Sequence, residues 1–146
     1  MKRILTIQDI SCFGKCSLTV ALPLLSSMGI ETVILPTAIL STHTLFQGFT
    51  CKDLSDQLKP ITDHWKQEGI TFDAIYTGYL GTEEEIDTVI GIIENFRDNN
   101  TLVFVERQWE ITENCIPLSM SIMQRKTRIS VLSRILLIPI SQKPVF

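Results

Sequence analysis

Short apolar runs alternate along this chain with longer stretches in which apolar residues recur every three or four positions. Ile4-Leu5-Thr6-Ile7 is the first run, of a length that fits a buried strand. Leu18, Ala21, Leu22, Leu25 and Met28 then form one helical stripe, and Gly29 follows as a C-terminal stop. Pro23 lies inside that stripe and, lacking an N–H, is predicted to bend or delay the helix. Thr32-Val33-Ile34-Leu35 reads as the second strand, after which Ser41-Thr42-His43-Thr44 interrupts the pattern. Leu54, Leu58, Ile61 and Trp65 predict a second helix, kinked at Pro60. Ala74-Ile75-Tyr76-Thr77 is the third strand. Thr82 and Glu85 have the T-x-x-E spacing of a capping box, opening a helix that carries Ile86, Val89, Ile90, Ile93 and Phe96. Thr101-Leu102-Val103-Phe104-Val105 is the fourth strand.

Strands alternating with helices of this length predict βαβ units, hence an α/β fold on a mostly parallel sheet with right-handed crossovers. Ligands of such sheets bind beyond the carboxyl ends of the strands. That rule selects four loops: Gln8 to Lys15, Pro36 to Gly48, Gly78 to Thr82, and the segment after Val105. In Thr77-Gly78-Tyr79-Leu80-Gly81 two glycines let the backbone turn near a ligand. Tyr79 between them has little packing reason to be there and is a candidate for stacking on a ring.

The 146 residues suffice for one domain with a real core. Hydrophobic residues are 45% and charged residues 20%, which argues against disorder. No uncharged apolar run is long enough for a membrane helix. Asp9 follows the first apolar run so closely that no secretory signal is expected, which predicts a cytoplasmic protein. A net charge of −3 gives no reason to expect a nucleic-acid partner. Of the cysteines at 12, 16, 51 and 115, only Cys12 and Cys16 are close in sequence. A C-x3-C pair without a second pair or a nearby histidine predicts neither a zinc site nor a disulfide.

Other local signals are ordinary. Gly14-Lys15-Cys16-Ser17 has the flavour of a phosphate loop, but Asp9 stands where the leading glycine belongs and Cys16 where Ser or Thr belongs. His43 reads as a hydrogen-bonded loop residue and His64, beside Trp65, as structural. Glu83-Glu84-Glu85 suits the positive end of a helix dipole.

Three segments together resemble a known family. Gln8-Asp9-Ile10-Ser11-Cys12-Phe13-Gly14-Lys15-Cys16-Ser17, Ser41-Thr42-His43-Thr44 and Thr77-Gly78-Tyr79-Leu80-Gly81 are similar, in order and spacing, to the pyridoxal/pyridoxamine kinases of the ribokinase-like superfamily. The resemblance covers about residues 2–105. It implies a three-layer α/β/α fold and ATP-dependent phosphorylation of the 5′-hydroxyl of pyridoxal, pyridoxine or pyridoxamine, with Mg2+. It implies substrate contacts at Asp9, Ser11, Thr44 and Tyr79, although many relatives have Ser where Asp9 stands. Full-length relatives are expected to be homodimers. A kinase acting on hydroxymethylpyrimidine, a non-catalytic vitamer binder and a fragment without a role are the alternatives.

The resemblance stops at Val105. The family continues with Asp-Pro, a Met-Gly-Asp-Asn-Gly-Lys-Leu-Tyr-Pro-like segment, ATP-binding loops and a Gly-rich turn with the catalytic Asp. Here Glu106-Arg107-Gln108-Trp109 follows, and the catalytic Asp and nucleotide elements are missing. Residues 1–105 hold 7 basic and 13 acidic side chains, a net of −6, whereas residues 106–146 hold 6 and 3, a net of +3. The last 41 residues contain no Gly and no Asp, the usual turn formers. If each codon's third base is regrouped with the next codon's first two, Trp109-Glu110 must give Gly and Asn114-Cys115 must give Leu. Synonymous choices then turn residues 106–120 into T-A-M-G-D-N-G-K-L-Y-P-A-F-D-E, and residues 134–146 into a string containing N-P-N-I-T-E-A. Residues 106–146 are therefore expected to be an irregular tail translated out of frame, following a kinase-like portion at 1–105. Ile135-Leu136-Leu137-Ile138 is expected to pack opportunistically or aggregate, and Pro139 and Pro144 argue against a long terminal helix. Such a truncated sheet would leave an edge and an apolar face uncovered, which predicts association and little or no kinase activity.

Overall fold

A computed structural model describes residues 1–78, 80 and 82–105. The expectations for Tyr79 and for the tail at 106–146 lie outside the described residues. The described elements run β1 (Arg3–Ser11), α1 (Leu18–Ser27), β2 (Glu31–Leu40), β3 (Cys51–Asp53), α2 (Ser55–Gln67), β4 (Ala74–Thr77), α3 (Glu83–Phe96) and β5 (Leu102–Val105). The strands form one sheet of order β3-β2-β1-β4-β5. β1 pairs in parallel with β2 and with β4, β4 pairs in parallel with β5, and only β3 runs antiparallel to its neighbour.

Side chains alternate across a strand, so each strand serves two faces. Leu5 and Ile7 of β1, Leu35 of β2 and Ile75 of β4 point to one face, where Leu58 of α2 and Val89, Ile92 and Ile93 of α3 complete a buried cluster with Phe72. Trp65 and Phe96 meet the ring of Phe72 edge-on, at centroid separations of 6.1 and 5.1 Å. The alternate residues point to the other face, which α1 covers through contacts to β1 and β2. The result is three layers, α1 over the sheet over α2 and α3, as the α/β reading requires. On the α1 side, Ile4, Leu25, Tyr76 and Phe104 line an open apolar groove of about 260 Å³. Phe104 and Leu102 are exposed there on the edge strand.

Several boundaries differ from the sequence reading, each for a local reason. β1 and β2 both run further than their apolar runs, because Ile10 pairs with Ile39 and Ser11 with Leu40 beyond a register shift. Pro36 lies beside that shift, where a missing N–H is tolerated in a strand. The ligand-side loops therefore start at Cys12 and Ser41 rather than at Gln8 and Pro36. β3 was not foreseen: its three residues are all exposed, so no hydrophobic period marks them. Pro23 and Pro60 neither delay nor interrupt their helices. Each is the sixth residue of its helix and exposed, so water can reach the carbonyl left without a partner. Met28 is 66% exposed and contributes nothing to the buried side of α1. The N-cap half of the expected capping box is present: Thr82 Oγ1 accepts the Glu85 amide at 3.1 Å.

Opposite the ligand side, Asp73 ties the start of β1 to β4. Its carboxylate accepts from Lys2 Nζ at 2.6 Å and from the Arg3 amide at 2.8 Å. Those two bonds, the lysine's first, hold the Asp73 carboxyl below its ordinary range, and the same contact raises Lys2.

Candidate functional site

The loops after β1 and β2 are laced together at the carboxyl end of the sheet. Cys12 donates its amide to Leu40, Phe13 to Ser41, and His43 back to Phe13. The ring of Phe46 stacks edge-on against His43 at 4.8 Å and against Phe13 at 5.7 Å. His43 Nδ1 accepts the Leu45 amide at 3.2 Å, which leaves the ring proton on Nε2. The imidazole thus clamps the two loops. Gly14, at φ +85°, lies so close that a Cβ there would meet His43 Cδ2 at 2.2 Å.

Of the residues singled out for substrate contact, Asp9 and Ser11 lie near the end of β1 rather than in a loop. Ser11 is buried, and its hydroxyl donates to Asp9 Oδ2 at 3.4 Å. Thr44 is exposed in the laced loop, directly after His43. A surface depression of about 370 Å³ is lined by Ser11, Cys12, Phe13, Gly14, Lys15 and Thr19. Ser17 enters α1 at φ 49° and ψ −123°, a conformation that ordinary side chains seldom adopt. Strain of that kind next to a candidate site is a recurrent feature of ligand-binding loops.

Sequence reasoning passed over Gln8. It is 1% exposed within β1, ahead of Asp9 and Ser11, and its Nε2 has no hydrogen-bond partner. Gly78 is adjacent: a Cβ there would meet Gln8 Cγ at 2.8 Å. The available signal was a long polar side chain one step past an apolar strand, on the face alternate to Leu5 and Ile7.

Among the described residues no three His, Cys, Asp or Glu side chains gather as metal ligands.

No protein-family model and no curated protein sequence matches the chain. Solved structures do. A protein described as a phosphomethylpyrimidine kinase from Bacteroides thetaiotaomicron is 45% identical over 72% of this chain and 36% of its own, with a TM-score of 0.71. A second crystal form of it, with pyridoxal, aligns at 41% identity over 78% of this chain and 41% of its own, with a TM-score of 0.70. Pyridoxal kinase from Lactobacillus plantarum is 32% identical over 70% of this chain and 37% of its own, with a TM-score of 0.65. The fold is that of the ribokinase-like kinases. Within that class, the chain fits a member of the pyridoxal-kinase-like family. It spans roughly two fifths of the length of these relatives.

Proposed function

We propose that this chain carries the vitamer-binding front portion of a kinase that phosphorylates the 5′-hydroxyl of pyridoxal, pyridoxine or pyridoxamine, and that by itself it binds the vitamer without turning it over. The observation that supports this most directly is the 41% identity, over 78% of this chain, to a protein crystallised with pyridoxal. In this reading Asp9, Ser11 and Thr44 hold the polar substituents of the ring and Tyr79 stacks on its face.

Phosphoryl transfer consists mainly of positioning and charge neutralisation by cations, with a base for the attacking hydroxyl. ATP and Mg2+ would supply the phosphoryl group and its neutralisation. The family pattern puts their binding elements and the catalytic Asp after the fourth parallel strand, where this sequence turns to Glu106-Arg107-Gln108-Trp109. We read residues 106–146 as translated out of frame from a kinase gene. The nucleotide sequence past codon 105 tests this: a kinase-like continuation in the alternate frame is the expected result, and its absence sinks the idea.

The 146-residue protein titrated with pyridoxal should saturate, and a coupled assay with pyridoxal and MgATP should show no turnover. Turnover at the level of a full-length kinase would refute the inactive reading, and failure to saturate would refute the binding one. A second substrate class, a hydroxymethylpyrimidine or related pyrimidine, is suggested by the 45% identical protein, which is described as a phosphomethylpyrimidine kinase. Competition between the two ligands on this chain distinguishes them. In either case the protein is expected to act in the cytoplasm, and a full-length counterpart is expected to pair as a homodimer.

A further inference from the structure

Buried polar atoms in the described residues are satisfied everywhere except at one end of the sheet. Thr6 Oγ1 donates to Val33 and Thr62 Oγ1 to Leu58. Arg3 Nε, at the amino end, has no hydrogen bond of good geometry but faces Glu31 Oε2 at 2.9 Å in an ion pair. The remaining orphans are Gln8 Nε2, Thr77 Oγ1 and Thr42 Oγ1. Thr77 ends β4, Gln8 lies one step beyond the Ile7–Thr77 pair on the adjacent strand β1, and Thr42 sits just past β2. A buried donor without an acceptor is costly, and such groups in a folded protein call for a partner supplied from outside the chain.

Gln8 is the most constrained of the three. Its stem lies against Gly78, where a Cβ would come within 2.8 Å of Cγ and 3.3 Å of Cβ and Cδ. The Gly78 amide is itself fixed to Ile7 at 2.9 Å. The glutamine stem is thus held between β1 and the exit of β4, and its amide has little freedom to find a partner within the protein. The parallel-sheet rule puts the ligand at this same end.

We propose that Gln8 is a substrate-binding residue: its Nε2–H donates to a neutral acceptor on the bound ring, either a ring nitrogen or a substituent oxygen. This rests on the vitamer-binding reading above and adds a contact to it. A side-chain amide reads an acceptor without demanding charge, so it suits a small heteroaromatic alcohol better than a phosphate or a carboxylate.

The test is Gln8→Leu in the full 146-residue chain, with pyridoxal and a hydroxymethylpyrimidine as probes. Because the amide has no partner in the free protein, ligand-free Gln8→Leu should melt at or above the parent's temperature. Its affinity for the probe that the parent binds should fall by about tenfold or more, the usual loss when a buried hydrogen bond to ligand is removed. Gln8→Glu keeps the shape and replaces the donor by an acceptor. It should lose binding similarly, and it carries the same comparison if the leucine variant does not fold. Unchanged affinity in both variants overturns the role of Gln8 and leaves the vitamer reading standing. A ligand-free melting temperature several degrees below the parent's overturns it too, since the amide would then serve the fold. If the parent binds neither probe, the vitamer reading falls and this one with it.

Discussion

Gly14 offers the most direct measurement of how tightly the ligand-side loops are clamped. In Gly14→Ala two costs coincide. The first is conformational: at φ +85° an alanine is strained by about 1–2 kcal/mol, offset by about 0.4–1 kcal/mol from the stiffer unfolded chain. The second is spatial. The new Cβ would overlap His43 Cδ2 at 2.2 Å and crowd Nε2 at 3.1 Å and Cγ at 3.3 Å, so the ring must leave. Leaving sacrifices the Leu45 hydrogen bond, worth about 1 kcal/mol, and the packing on Phe46, worth about 0.5–1.5 kcal/mol. Gly29 is an internal control, with φ +74° and nothing within 4 Å of its Cβ position. Urea unfolding followed by circular dichroism should therefore show Gly14→Ala costing about 2 kcal/mol more than Gly29→Ala. In a His43→Ala background that excess should vanish, because the ring is already gone. Equal costs for the two glycines, or an excess that survives removal of the ring, would refute the clamp.

Three further outcomes are expected. Ser17→Gly relieves the positive φ at the start of α1 and should stabilise the chain by about 1 kcal/mol in the same urea experiment. Thr82→Ala removes the acceptor for the Glu85 amide and should cost about 1 kcal/mol, again from urea midpoints. The depressed carboxyls of Asp53, Asp73 and Asp98 contribute to the acid limb of stability. A group whose folded pKa lies below its unfolded value stabilises fully above the unfolded value, here the ordinary 3.8, and loses that contribution as pH falls from there through the folded value. Melting temperatures between pH 5 and pH 2, scanned at about these limits, should fall less steeply in Asp73→Asn. The exposed Lys2–Asp73 pair should make the parent's slope shallower in high salt.

What could be read from the sequence depended on whether burial left a period. β4 is buried along nearly its whole length and α3 carries its apolar stripe on one side, so both were legible to the residue or nearly so. β3 is exposed at every position and exists only because Ala38 to Leu40 offers it an edge, information that lies in the partner strand. The extension of β2 was hidden by Pro36, which by itself reads as a loop and is tolerated only because the register slips there. At the candidate site, Asp9 and Ser11 could be singled out because they belong to a recognisable run. Gln8 escaped because its importance comes from the missing side chain at Gly78, 70 positions later, a pairing of β1 with the exit of β4 that no local pattern encodes.

The strand order has one more consequence. β1 occupies the middle of the sheet, and β2, β4 and β5 are each laid on an existing margin. The strand with which the sheet begins in sequence is thus the one that later strands flank on both sides. Among the described residues the buried cluster is filled by these strands and by α2 and α3, while Leu102 and Phe104 on β5 remain exposed. A sheet that began at its edge would take its centre from later segments instead.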